Sequence, residues 1–216
     1  MIEIKPSTAN VASRRGFVRV GLFTTAALAI ANSPMIGAFM KTAQAATPDL
    51  VHDTLNGLLA FIVPGPDRYS LAQEASSTTP GGVDANVAEV LIQTLDRSAP
   101  FLPQFSAIVA GILNNLAQLV NPSTAGPFAS PFANLKYAEK VAVLQIMDST
   151  DSLKSLGGVL PAFVAYLVHS DASTFDPATR SLTGQPVGWT ISKYSGVADG
   201  RDEFRGYFQN RRRTNG

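Results

Sequence analysis

Phe105-Ser106-Ala107-Ile108-Val109-Ala110-Gly111-Ile112-Leu113-Asn114-Asn115-Leu116-Ala117-Gln118-Leu119-Val120 decides the fold. Phe105, Ile108, Val109, Ile112, Leu113, Leu116 and Val120 recur at three- and four-residue steps, the period of a helix. Ala99-Pro100 and Pro103 break the chain before it, and Asn121-Pro122 ends it. So apolar a helix needs partners on several sides, so it is predicted to be the central helix of a bundle.

The same period extends in both directions. Upstream, Asp84 is predicted to cap a helix carrying Val87, Val90, Leu91 and Leu95. Before that, Thr47-Pro48-Asp49 combines an N-cap, a first-turn proline and a favourable charge. Leu50, Leu55, Leu58, Leu59 and Ile62 follow as its apolar stripe, which stops at Val63-Pro64-Gly65-Pro66. Residues 64–83, rich in Pro, Gly, Ser and Thr, read as a long surface loop with a short turn near Ser70–Glu74.

Downstream, Leu135 to Met147 reads as an amphipathic helix. Leu135, Ala138, Val141, Ala142 and Gln145 track one face, widened by Val143 and Leu144. Asp151 or Ser152 begins a last helix with Leu153, Leu156, Leu160, Phe163, Val164, Leu167 and Val168, expected to break or kink early at Gly157-Gly158 and Pro161. No alternating runs compete with these patterns. The expected fold is all-α, an irregular bundle of about five helices over residues 46–170. From 171 to 216 the texture changes to aromatics among Gly and charge, with Trp189, Tyr194, Phe204, Tyr207 and Phe208. This extension of the same domain is expected to be mostly non-helical and to pack on the bundle, with Arg211–Gly216 frayed.

The N-terminal 45 residues have a different character. Ser13-Arg14-Arg15-Gly16-Phe17-Val18-Arg19 fits the twin-arginine (Tat) export pattern, with Val for Leu and Arg for Lys. An apolar run from Val20 to Ala31 follows, and Ala43-Gln44-Ala45 supplies a small-x-small cleavage site that makes Ala46 the first mature residue. The run is about a dozen residues long, short of the roughly 20 that span a bilayer, so the expectation is a cleaved signal without stable membrane insertion afterwards. Retention as an anchor is the competing reading. The expected location is periplasmic or secreted.

Removing residues 1–45 also removes Lys5, Arg14, Arg15, Arg19 and Lys41 against the single acid Glu3. The 17 basic and 16 acidic side chains of the whole chain thereby become 12 and 15. A mildly acidic body with no basic face excludes nucleic acid as a partner. With no cysteine in the chain, thiolate metal sites, iron–sulfur ligation and cysteine nucleophiles are excluded.

The remaining chemistry is sparse. His52 beside Asp53, and His169 followed by Ser170 and Asp171, do not form a nucleophile–base–orienter line, because neighbours on one segment cannot align that way. No Gly-x-Ser-x-Gly elbow or histidine pair at metal-ligand spacing accompanies them. Asp148 and Asp151 read as caps between helices rather than a calcium loop. His169 reads as a favourable charge in a last helical turn. No catalytic, cofactor or metal residue is assigned. Trp189, Tyr194, Phe204 and Tyr207 are the candidate partner-binding residues, since aromatics anchor interfaces, with core packing as the plainer alternative.

Several short segments occur in a telling order after the twin-arginine stretch: Leu58-Leu59-Ala60-Phe61-Ile62-Val63-Pro64-Gly65, Pro80-Gly81-Gly82-Val83-Asp84, Phe132-x-x-Leu135 with Glu139-Lys140-x-x-Val143-Leu144, and the Trp189/Tyr194 end. In these the chain resembles the small subunit (subunit 3) of gluconate 2-dehydrogenase-type oxidoreductases. The resemblance implies a helical, signal-bearing subunit that accompanies a flavin-containing catalytic subunit of the glucose–methanol–choline type. FAD is then expected in that partner and none in this chain, and the Tat translocase is the partner during export. No active-site residue is carried over. The alternative is a stand-alone secreted helical protein that binds a small apolar molecule or an envelope component between its helices. An enzyme in its own right would need polar groups from distant segments, such as His52 near Asp171 or Glu139.

Overall fold

The computed structural model describes residues 24–34, 37, 41, 46–176 and 178–194. The fold is all-α. Its helices are α1 (Pro48–Ile62), α2 (Arg68–Ala72), α3 (Ala88–Ser98), α4 (Phe105–Val120), α5 (Pro131–Asn134), α6 (Tyr137–Ser149) and α7 (Asp151–His169). A two-residue-per-strand hairpin, β1 (Phe175–Asp176) and β2 (Ser181–Leu182), precedes α8 (Val187–Ser192). The hairpin is antiparallel, with Phe175 opposite Leu182.

Helix α4 is central, as its composition demands: it packs against α1, α3, α5 and α6. Every residue from Phe105 to Asn114 is buried. Its N-terminus has no capping side chain of its own, since Gln104 adopts a left-handed conformation. Asp96 of α3 fills that role, accepting the Ser106 N–H at 2.8 Å, so one carboxylate both caps α4 and ties it to α3. At the other end Asn121 Nδ2 donates to Glu139 Oε1 at 2.8 Å, and Glu139 Oε2 accepts the Lys136 N–H at the start of α6.

Helix α1 begins as expected, with Thr47 Oγ1 accepting the Leu50 N–H at 3.3 Å. Helix α7 buries the expected stripe from Leu153 to Val168, but it does not break at Gly157-Gly158 or Pro161. It runs unbroken to His169 with Pro161 inside it. Burial of its stripe against α6, α1 and α8 offsets the backbone bond that Pro161 cannot make. Gly157 sits where a Cβ would lie 3.1 Å from Met147 Cβ, so the glycine marks a close crossing of α6 and α7. Among the described residues α7 is long and apolar enough, by length and composition, to cross a membrane.

Three further expectations are corrected. Residues 64–83 are not an open surface loop. Asp67 caps α2 by accepting the N–H groups of Tyr69 and Ser70, and Tyr69, Ser70 and Gln73 are buried. The two ends of this stretch meet: Gly82 N donates to Val63 O at 2.7 Å. Asp84 does not cap α3, whose N-cap is Val87 without a side-chain bond; it accepts the Gly81 N–H at 2.7 Å. The inward face of α6 is Lys140, Val143 and Met147, whereas Ala138 and Gln145 are exposed. The phase differs from the expected one because a charged residue, Lys140, takes an inward position.

At Gly81 the backbones approach so closely that a Cβ would lie 2.6 Å from Val63 O and 2.7 Å from Gly65 Cα. All of these are main-chain atoms, which cannot rotate aside. Gly81→Ala is therefore expected to lower the unfolding free energy by roughly 1–3 kcal/mol, the range for overpacking, read as a shift in the urea midpoint. An unshifted midpoint would contradict the closure.

The core extends beyond the expected bundle. Ala26, Ala27 and Ile30, in a helical stretch over residues 24–31, have no exposed surface and belong to the same apolar cluster as Leu91, Leu95 and Ile108.

Candidate functional site

Two of the segments that carry the resemblance, residues 58–65 and 132–144, meet at one buried centre. Lys140, on the inward face of α6, has no exposed surface. Its Nζ donates to Gln73 Oε1 at 2.8 Å and to Gly57 O of α1 at 3.1 Å, and lies 5.3 Å from the centre of the Phe132 ring. Gln73 is equally buried, and its Nε2 donates back to Ala60 O at 2.8 Å. The Tyr137 N–H donates to Gln73 O at 3.0 Å. One lysine and one glutamine thus join α1, the end of α2 and the start of α6.

Burial pushes the Lys140 amine down to about 7, with Asp67 acting weakly in the opposite sense. Two acceptors and an aromatic face suit either state: a neutral amine has two N–H groups to give, and a charged one directs its remaining proton toward the ring. Enclosed on all sides, the amine serves to position helices.

Two neighbouring networks complete the polar interior. Asn114 of α4 donates from Nδ2 to Thr54 Oγ1 at 2.9 Å, while its Oδ1 accepts from Ser130 Oγ at 2.7 Å and from the Phe132 N–H at 3.0 Å. Ser130 Oγ also accepts the Ala133 N–H at 3.1 Å, and Thr54 Oγ1 donates to Leu50 O at 2.6 Å. This set fixes the short helix α5 between α1 and α4. Nearer the surface, Tyr69 donates to Asp53 Oδ1 at 2.6 Å, and Asp53 Oδ2 accepts the Ala129 N–H at 2.8 Å. The Tyr69 ring stacks on Phe128 at 4.1 Å, and Arg68 covers both rings. Burial, followed by the bond to Asp53, raises the Tyr69 hydroxyl above its ordinary value, so it stays a neutral donor.

Of the sequence candidates, Trp189 and Tyr194 come together. Their rings meet edge-on at 5.2 Å, and the Tyr194 N–H donates to Trp189 O at 2.8 Å. Trp189 is half-buried, whereas Tyr194 keeps 47% of its surface exposed. Trp189 lies in the short helix α8, and the extension is otherwise non-helical among the described residues, as expected. Gly188 lets that helix seat on the end of α7, with a Cβ at 188 falling 2.7 Å from His169 C. Ala46 is half-buried against the core. Phe204, Tyr207, the expected export residues Ser13, Arg14, Arg15 and Phe17, and the expected cleavage residues Ala43 and Ala45 lie outside the described residues.

Among the described residues no hydrogen bond or ion pair joins His52 to Asp171 or Glu139. His52 Nε2 lies 3.7 Å from Glu89 Oε2 on the exposed surface, while Glu139 is engaged by Asn121 and the Lys136 N–H. Among the described residues no group of three or more His, Asp or Glu side chains is placed to hold a metal ion. Asp148 and Asp151 flank the α6–α7 junction, where Thr150 is the N-cap of α7. Sequence reasoning missed the roles of Gln73, Asn114 and Asp53. Lys140 was visible as a motif letter, and its position three residues before Val143 and seven before Met147 was the signal that it faces inward.

Comparison with family models, curated proteins and solved structures finds no match to this chain.

Proposed function

We propose that this chain is a non-catalytic accessory subunit that assists export, maturation or stability of an extracytoplasmic flavin-dependent oxidoreductase of the glucose–methanol–choline type. The observation that carries the reading is the twin-arginine stretch Ser13–Arg19 standing ahead of the resemblance segments. The twin-arginine route moves folded proteins, and a helical subunit without an assigned cofactor site uses it to advantage when it brings a folded flavoprotein along. The arrangement around Lys140 supports the reading, since two of the resemblance segments are spent on a buried scaffold. Trp189 and Tyr194 are the proposed contact residues, rigid aromatics of the kind that anchor interfaces.

The protein purified from its native host through a C-terminal tag is expected to bring down a second, larger chain and a flavin absorbance spectrum. Deletion of the gene is expected to leave that flavoprotein inside the cell. Trp189→Ala with Tyr194→Ala is expected to lose the larger chain while the tagged bundle is still exported. A single colourless species, together with normal export of the flavoprotein in the deletion strain, would overturn the proposal.

A further inference from the structure

The apolar run of the export signal has a place in the folded bundle. Residues 24–31 are helical, closed by the Asn32 N–H and Asn32 Nδ2 donating to Leu28 O at 3.1 and 2.8 Å. One face of this helix, Ala26, Ala27 and Ile30, is wholly buried, while Thr25 and Leu28 on the other face are exposed. Small side chains at 26 and 27 allow a close backbone approach. Thr24 Oγ1 donates to the carbonyl of Ser98 at 3.2 Å. That carbonyl belongs to the last turn of α3, where the backbone has no helical donor left to meet it. The run thus supplies both apolar surface to the core and a cap to a helix end.

We propose that the bundle carries a groove for residues 24–31, so that the folded precursor holds the apolar part of its own signal as a packed helix and releases it on translocation. Describing that helix as part of a signal rests on the twin-arginine reading given above. The groove joins α3 to core residues distant in sequence, so only a folded chain offers it, and holding the run becomes conditional on folding. In sequence, Arg14 and Arg15 precede the held helix.

The test uses the full chain with Arg14→Lys and Arg15→Lys, purified uncleaved from the cytoplasm and followed by hydrogen exchange in peptides covering 24–34 and 50–62. Backbone amides at the end of the held helix are expected to exchange at least about 100-fold more slowly than unprotected amides. Ala27→Asp is expected to return them to the unprotected rate while 50–62 keeps its protection. Should that variant unfold the bundle, Thr24→Val is expected to speed exchange at 24–34 alone by several-fold. Free exchange at 24–34 in the parent chain, or rates there that neither substitution alters, would overturn the proposal. Export is scored separately. If the lysine pair is exported as well as the natural arginines, the signal reading falls while the docking result stands.

Discussion

Raising the pH from about 7 to about 10 is expected to stabilise the folded chain, and Lys140→Met to remove most of that gain. The Lys140 amine sits at about 7 in the folded state, against an ordinary value of 10.5. Between these two values the unfolded chain holds a proton that the folded chain has given up. Unfolding therefore takes up a proton across this window, and stability rises with pH through it. Below about 7 both states are protonated and the penalty is complete. At 1.36 kcal/mol per unit the ceiling is about 5 kcal/mol, and local relaxation should leave about 2–4 kcal/mol of it.

Methionine keeps the length and apolar stem of the lysine without its charge. Its variant leaves Gln73 Oε1 and Gly57 O without the amine, so at pH 10 it should be clearly less stable than the parent. At pH 6 the difference should shrink or reverse. Urea midpoints at intervals from pH 6 to 10 check this, the other titrating groups being common to both chains. Midpoints that run parallel across the range would show that Lys140 is not the titrating group.

Asn114→Ala is expected to cost about 3–4 kcal/mol, while Asn115→Ala should change stability by no more than about 0.5 kcal/mol. The two asparagines are neighbours on one helix, yet Asn114 is 6% exposed and Asn115 faces solvent. Removing the Asn114 amide leaves the Phe132 N–H without its partner and takes one hydrogen bond each from Thr54 and Ser130 at a buried three-helix junction. At 115 the exchange trades a solvated side chain for a better helix former. Denaturant midpoints for the pair check the contrast, and similar losses at both sites would contradict the network.

Much of the fold was legible in the sequence because its helices bury continuous stripes. The stripe of α7 was read residue by residue, since nothing polar interrupts it. The burial of α4 and the Thr47 cap were legible for the same reason: each depends on neighbours in sequence. The failures fall where a polar residue points inward. Lys140 shifted the apparent phase of α6, and the Pro, Gly, Ser and Thr of residues 64–83 masked the packed segment around Tyr69 and Gln73. A polar residue at such a site is satisfied by groups far away in sequence, as Lys140 is by Gly57 and Gln73, and no local pattern announces that pairing. The candidate partner surface was legible as a run of aromatics, but the helix that presents Trp189 was not. Six residues are too few to establish a period, and the seat for this helix is the distant end of α7.

The placement of Trp189 determines what its fluorescence can report. It is the sole tryptophan in the chain, and it rests beside Tyr194 on a short helix seated at the C-terminal turn of α7. The interior around Asn114 and Lys140 contains none. Intrinsic emission therefore reports the seating of α8, whereas far-ultraviolet ellipticity reports the bundle. Two denaturation curves that coincide describe an extension that melts with its bundle. Curves that separate describe an appendage that lifts off while the scaffold is intact, leaving its aromatic face free to be remodelled by whatever the chain meets.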